Sequence, residues 1–261
     1  MSKVRLQAHR GVCSECPENT FSAFRTAVDE GFDIIELDPK YTADNHVVIL
    51  HDIYVNRTGR RPDGAPLPPE TAIRDLTFSQ ARALEYGSWF DPRFAGERLP
   101  SLEEVIDFIR TNAISLKFDN IWETFPGEPR ERFLAQLESA GLGGQIGFTC
   151  ARMETLMLVA RRFPAAEIHW DGENDKATLD EVARIAQGHR LTIWVCYENE
   201  NSGWFKGAKA SAELCRRVHS YGELGIWLLT REQDLADAIG LYHADAVETT
   251  GHIKPAMLLK W

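Results

Sequence analysis

The chain has 261 residues, 44% hydrophobic and 26% charged, with a formal net charge of −10. This length and balance exclude a disordered chain or a small disulfide-stapled module and supply enough apolar residues for a large core. The negative field excludes nucleic acid and anionic lipid surfaces as partners, although a local cationic pocket can still bind a small anion.

The opening MSKVRLQAHRG lacks the apolar run and cleavage site of a secretory leader. No stretch reaches the roughly 18 apolar residues of a membrane span, so a cytoplasmic protein without membrane insertion is expected. Five cysteines, Cys13, Cys16, Cys150, Cys196 and Cys215, form an odd, sparse set unlike a disulfide framework, and are expected to be reduced.

In chain order, short β-rich runs alternate with amphipathic segments, the pattern of a parallel sheet covered by helices. The strand candidates are VRLQAH (4–9), DIIELD (33–38), VVILH (47–51), AISLKF (113–118), QIGFTC (145–150), AEIHWD (166–171), TIWVCY (192–197), LGIWLL (224–229) and AVET (246–249). These nine candidates compete for the eight staves of an α/β fold of the (β/α)8, or TIM-barrel, type. Helices are expected in TFSAFRTAVDEG, SLEEVIDFIRTN, METLMLVARRFP, TLDEVARIAQG, SAELCRRVHSYG and REQDLADAIGLYH. Capping boxes mark two starts, Ser101 with Glu104 and Thr178 with Glu181. No repeat or low-complexity linker divides the chain, so residues 1–261 are read as one domain. The stretch from 52 to about 100, rich in proline, glycine and arginine, reads as an insertion after the third strand candidate, with a short helix near FSQARALEYG.

Barrel enzymes carry their chemistry at the carboxyl ends of strands. Here His9 and Arg10, Glu36 and Asp38, His51 and Asp52, and Lys117 and Asp119 fall at successive strand ends. Alternation puts Glu36 and Asp38 on one face of their strand, and likewise Ser115, Lys117 and Asp119 on one face of theirs. Paired carboxylates suit a hard divalent cation, Mg²⁺ or Ca²⁺. Two histidines can serve as general acid and base, and Arg10 and Lys117 can neutralise phosphoryl oxygens. Taken singly, each has a plain structural explanation: a salt-bridged ExD, a packed histidine, an ion-paired lysine. Their joint placement favours a functional reading.

HRG at 9–11, PENT at 17–20, ELD at 36–38, HD at 51–52, NRTGR, SWFDPRF and LPSLEEV at 99–105 together resemble glycerophosphodiester phosphodiesterases, of the phosphatidylinositol-phospholipase-C-like barrel superfamily. The resemblance implies a metal-dependent hydrolase that cleaves a glycerophosphodiester to an alcohol and glycerol phosphate. Carried over, His9 and His51 match the acid/base pair, Arg10 and Lys117 the phosphate contacts, Glu18 the PENT glutamate, and Glu36 and Asp38 metal ligands. Asn19 also suits a plain helix N-cap. The family commonly has a glutamate two residues before the lysine, where this chain has Ser115; Asp119, on the same face, is the candidate replacement ligand. Among the tryptophans, including Trp89, Trp122, Trp170 and Trp194, Trp227 is the best candidate to hold the substrate, because IWLLT resembles a late-strand motif of the family.

The expected partner is a small phosphodiester, with no nucleic acid; Trp89, Phe90 and Phe94 could also pack on another subunit of a homo-oligomer. Alternatives are a sugar phosphodiesterase, a lyase that stops at a cyclic phosphate, and a non-catalytic phosphoester-binding barrel. The CxxC formed by Cys13 and Cys16 has no second pair to complete a zinc site, and a thioredoxin-like role competes with two incidental thiols in a loop.

Overall fold

The structure, a computed structural model, describes residues 3–197 and 209–260. Eight parallel strands close into a barrel: β1 (Arg5–His9), β2 (Ile34–Leu37), β5 (Ser115–Phe118), β6 (Ile146–Cys150), β7 (Glu167–Trp170), β8 (Leu191–Cys196), β9 (Glu223–Leu229) and β10 (Ala246–Thr249). The ring runs β1, β10, β9, β8, β7, β6, β5, β2, and β2 pairs back onto β1 with His9 opposite Glu36. Among the described residues no helix is long and apolar enough to cross a membrane.

The surplus strand candidate is 47–51. Its ordered part, β4 (Val47–Ile49), pairs antiparallel with β3 (Pro39–Tyr41), and this two-stranded sheet stands outside the barrel. Val47 and Ile49 face the main core, while Val48 and Leu50 face a second cluster with Val55, Ile73, Leu84, Tyr86 and Leu99. A strand buried on both faces reads as an unbroken apolar run, like a barrel stave, so the sequence does not separate the two. His51 therefore belongs to the root of the insertion and not to a barrel strand. The second cluster is the insertion's own small core, and α2 (Phe78–Arg82) begins there with a Thr77–Gln80 capping box.

The Ser101–Glu104 box caps α3 (Leu102–Arg110) as expected. The Thr178–Glu181 box does not form, because α6 (Lys176–Ile185) starts earlier, with the Asp175 carboxylate accepting from the Ala177 and Thr178 amides. Nor is Asn19 a cap: Thr20 takes that role for α1 (Phe21–Glu30). Helix α4 (Gly127–Ala140) is absent from the sequence reading; only Pro129, Phe133, Leu134 and Leu137 are buried in it, too thin a stripe to stand out among charged neighbours.

The barrel interior is polar at its base. The Arg5 guanidinium donates to Glu167 at 2.7 Å, Glu223 at 3.1 Å and Thr192 at 3.2 Å. Above it, two glycines admit large rings from the next stave. A Cβ on Gly147 would lie 2.5 Å from the His169 ring, and one on Gly225 would lie 2.5 Å from the Trp194 ring. Such small-for-large exchange fills a barrel of this size. Gly225→Val is accordingly expected to lower the unfolding free energy in urea by about 1–3 kcal/mol. An unchanged denaturation midpoint would show that Trp194 has room to move.

Candidate functional site

The first strand ends in a sharp turn. Arg10 sits in the left-handed region at φ 57°, rare for arginine, and Gly11 follows at φ 77° with no room for a Cβ against Ala23. This turn aims the Arg10 guanidinium across the barrel mouth. Its Nη1 donates to Glu18 Oε1 at 3.1 Å, its Nε lies 3.4 Å from Asp38 Oδ2, and its backbone amide donates to Glu36 Oε2 at 3.1 Å. Asn19, also left-handed at φ 55°, donates from Nδ2 to Asp38 Oδ2 at 2.8 Å. PENT is thus a bracket for the site: Asn19 orients Asp38, and Glu18 holds two arginines.

The second of these is Arg57, from the insertion, whose Nη1 and Nη2 donate to Glu18 at 3.0 and 2.6 Å. The same guanidinium donates to Asp52 Oδ2 at 2.6 Å and lies 5.5 Å from the Trp89 ring centroid. Asp52 in turn accepts from His51 Nδ1 at 2.7 Å. The hydrogen bond from His51, then Arg57, holds the Asp52 carboxyl far below the usual range despite partial burial. His51, fixed by Nδ1, keeps Nε2 available.

Glu36, Asp38 and Asp119 each bring a carboxylate oxygen within 4.8 Å of the others. Burial, then repulsion from Asp38 and Glu248, pushes the Glu36 carboxyl well above its ordinary pKa. Asp119 is raised by burial and by Asp38. Asp38 is lowered, because Arg10, then His51, outweigh the burial that would raise it. Burial opposes the Lys117 ammonium, but Glu248 and Glu36 raise its pKa; its Nζ stands 3.3 Å from Glu248 Oε2 and 4.1 Å from the Trp194 ring centroid. His9 is pushed down to about 4, chiefly by burial, so its imidazole is neutral at physiological pH.

A cavity of about 360 Å³ is lined by His9, Arg10, Glu36, Asp38, His51, Lys117, Asp119 and Trp227, all singled out by the sequence, while Glu18 stands one contact behind. Ser115 does not join them. It pairs with Ile34 at the base of its strand, beside Gly31 and Gln145. Trp122 and Trp170 are buried core residues outside the cavity lining, while Trp89, Phe90 and Phe94 pack edge-on within the insertion. Sequence reasoning missed Asp171 and Glu248. Asp171 follows the end of β7 and obeys the same strand-end rule; its carboxyl is pushed up to about 7 by burial. Glu248, inside the run AVET, also accepts from the Gln7 amide.

Cys13, Cys16, Cys150 and Cys215 are free thiols, and among the described residues no cysteine joins a metal-binding cluster. Burial pushes the Cys13 thiol up to about 12, the opposite of a reactive thioredoxin-type thiolate. The incidental-thiol reading of CxxC therefore fits best.

The model of the glycerophosphoryl diester phosphodiesterase family matches residues 9–222. Over 107 residues the chain is 40% identical to a glycerophosphodiester phosphodiesterase of Caldanaerobacter subterraneus, covering 41% of each protein. Over 151 residues it is 30% identical to one from Bacillus subtilis, covering 55% of this chain and 48% of that one. These matches span less than half the length of either relative. In fold it is similar to a glycerophosphodiester phosphodiesterase from Agrobacterium tumefaciens, with a TM-score of 0.70, 18% identity and all of both chains covered. A phosphodiesterase from Oleispira antarctica, in complex with the product sn-glycerol-3-phosphate, gives 0.68 at 19% identity over 95% of this chain and 93% of that one. The match over most of its length, on a barrel of the same architecture, places the chain in the glycerophosphoryl diester phosphodiesterase family.

Proposed function

We propose that the protein hydrolyses a glycerophosphodiester to glycerol phosphate and an alcohol. One observation carries the reading: three carboxylates within 4.8 Å of one another share a cavity with Arg10, Lys117 and two histidines. The names of its relatives support the same activity.

Glu36, Asp38 and Asp119 fit a hard divalent cation such as Mg²⁺ or Ca²⁺. They offer only oxygen donors, and burial, then mutual repulsion, raises two of their pKa values, a repulsion that a cation would relieve. Such an ion would stabilise charge on the phosphoryl group and lower the pKa of a bound hydroxyl. Arg10 and Lys117 bind the non-bridging oxygens and hold the phosphorus in place. His9, neutral and half-buried, takes the proton of the attacking hydroxyl. His51, held through Nδ1 by Asp52, gives a proton from Nε2 to the leaving alkoxide. Attack by the substrate's own vicinal hydroxyl would form a cyclic phosphate, which water then opens. Trp227 offers a flat face to the alcohol. Asp119 supplies the carboxylate absent at Ser115, which removes the ground for a non-catalytic barrel. A cytoplasmic location and reduced thiols agree with this reading.

His9→Ala and His51→Ala should each lower kcat by about 10²–10⁴-fold in a phosphodiesterase assay with added divalent metal. Retention of near-wild-type turnover by either would remove that histidine from the mechanism. Phosphorus NMR of the products separates hydrolysis from a cyclising lyase, since a persistent cyclic ester would identify the latter. Asp119→Ala should weaken metal binding by at least about 10-fold, together with turnover; if calorimetry and kinetics both match wild type, Ser115 has no substitute there. Because Glu36 and Asp119 titrate above their ordinary range, metal binding should release protons and tighten as pH rises. Titration calorimetry in buffers of different ionisation enthalpy measures that release, and a binding heat independent of buffer would contradict it.

A further inference from the structure

The barrel mouth divides into two halves. The strands β10, β1, β2 and β5 adjoin one another and carry or lead into Glu248, His9, Arg10, Glu36, Asp38, Lys117 and Asp119, the groups assigned above to metal, phosphate and proton transfer and to holding Lys117. The opposite staves, β6 to β9, send Thr149, Asp171, Trp194 and Trp227 into the same cavity; Trp194 supports Lys117, and the reaction gives Thr149 and Asp171 no task. We propose that this second half is the subsite of the leaving alcohol and that it selects a neutral polyhydroxylated alcohol, with Asp171 and Thr149 as hydrogen-bond partners of its hydroxyls. The inference rests on the phosphodiesterase reading and deepens it.

Two polar groups wait for a ligand there. Thr149 is 2% exposed, and its hydroxyl has no hydrogen-bond partner among the described residues. The Asp171 carboxylate borders the cavity with the Trp227 side chain as its hydrogen-bond partner. Its spare lone pairs can accept from adjacent hydroxyls of a polyol, while Thr149 can donate or accept. An apolar alcohol would dry both groups without replacing their water, which is costly.

A cationic alcohol fits less well. Recognition of a quaternary ammonium uses a cage of aromatic faces. Here the Trp194 face is already covered by Lys117 Nζ at 4.1 Å, which denies it to a second cation and adds a repelling charge. The Trp227 indole beside a carboxylate suits the mixed polar and C–H surface of a polyol instead.

The test compares kcat/KM for glycerophosphoglycerol and glycerophosphoinositol with that for glycerophosphocholine, in wild type, Asp171→Ala, Asp171→Asn and Thr149→Val, with divalent metal at saturation. Wild type should prefer the polyol esters by about 10-fold or more. Asp171→Ala should lower the polyol-to-choline ratio by about 10-fold, mainly through KM. The isosteric Asp171→Asn should restore part of it, and Thr149→Val should lower it by a smaller factor. Equal or better use of the choline ester by wild type, or an equal loss on all esters in Asp171→Ala, would overturn the subsite. Absence of turnover of every ester by wild type would remove the phosphodiesterase reading itself, and the subsite with it.

Discussion

The mouth of this barrel is organised by the problem of keeping Asp38 ionised in a buried cavity beside other carboxylates. Five acidic side chains line the cavity against two permanent cations, Arg10 and Lys117. Left to burial and mutual repulsion, the acids would hold protons, and Glu36 and Asp119 are displaced that way. Asp38 escapes because Arg10, then His51 and Lys40, outweigh its burial, and Arg10 and Asn19 both point at Oδ2, at 3.4 and 2.8 Å. Both residues adopt left-handed backbone to reach it. Non-glycine residues held in that region cost free energy and cluster where geometry matters more than stability.

The same constraint explains how the insertion is attached. Glu18 pairs with Arg10, and Arg57 shares its charge by binding both Glu18 oxygens and also reaching Asp52, which holds His51. An isolated surface ion pair contributes little. This one is a chain of alternating charges, partly buried, and Trp89 flanks the shared guanidinium. It positions His51, which no barrel strand supports, by tying the root of the insertion to the loop after β1.

Much of this was legible in the sequence because strand ends and side-chain alternation are local properties. His9, Glu36, Asp38, Lys117 and Asp119 could be grouped from spacing alone, and Asp119 rather than Ser115 reaches the other two carboxylates. What was not legible depends on which neighbour a residue finds. The run 47–51 looked like a stave because both its faces are buried, and only pairing with Pro39–Tyr41 shows otherwise. Asn19 looked like a helix cap because its bond to Asp38 spans 19 residues. Glu248 sits in a run of four residues whose register against β1 decides that it meets Gln7 and Lys117.

Glu248 also shows why the interior stays polar so far below the mouth. Lys117 is buried, and removing either partner of such a pair costs more than the pair contributes. The ammonium needs a second support, and the Trp194 ring supplies its electron-rich face. That ring is held in turn, since its Nε1 donates to His169 Nδ1 at 3.1 Å. An acceptor at Nδ1 requires neutral imidazole with its proton on Nε2, and burial holds the His169 pKa well below the usual value. The Nε2 proton then faces Glu167 Oε2 at 3.6 Å, and Glu167 is anchored by Arg5 at the barrel floor. Gly147 and Gly225 leave the space these two rings occupy. A buried lysine in the middle of a barrel thus determines side chains down to its base, each oriented by the charge or dipole above it.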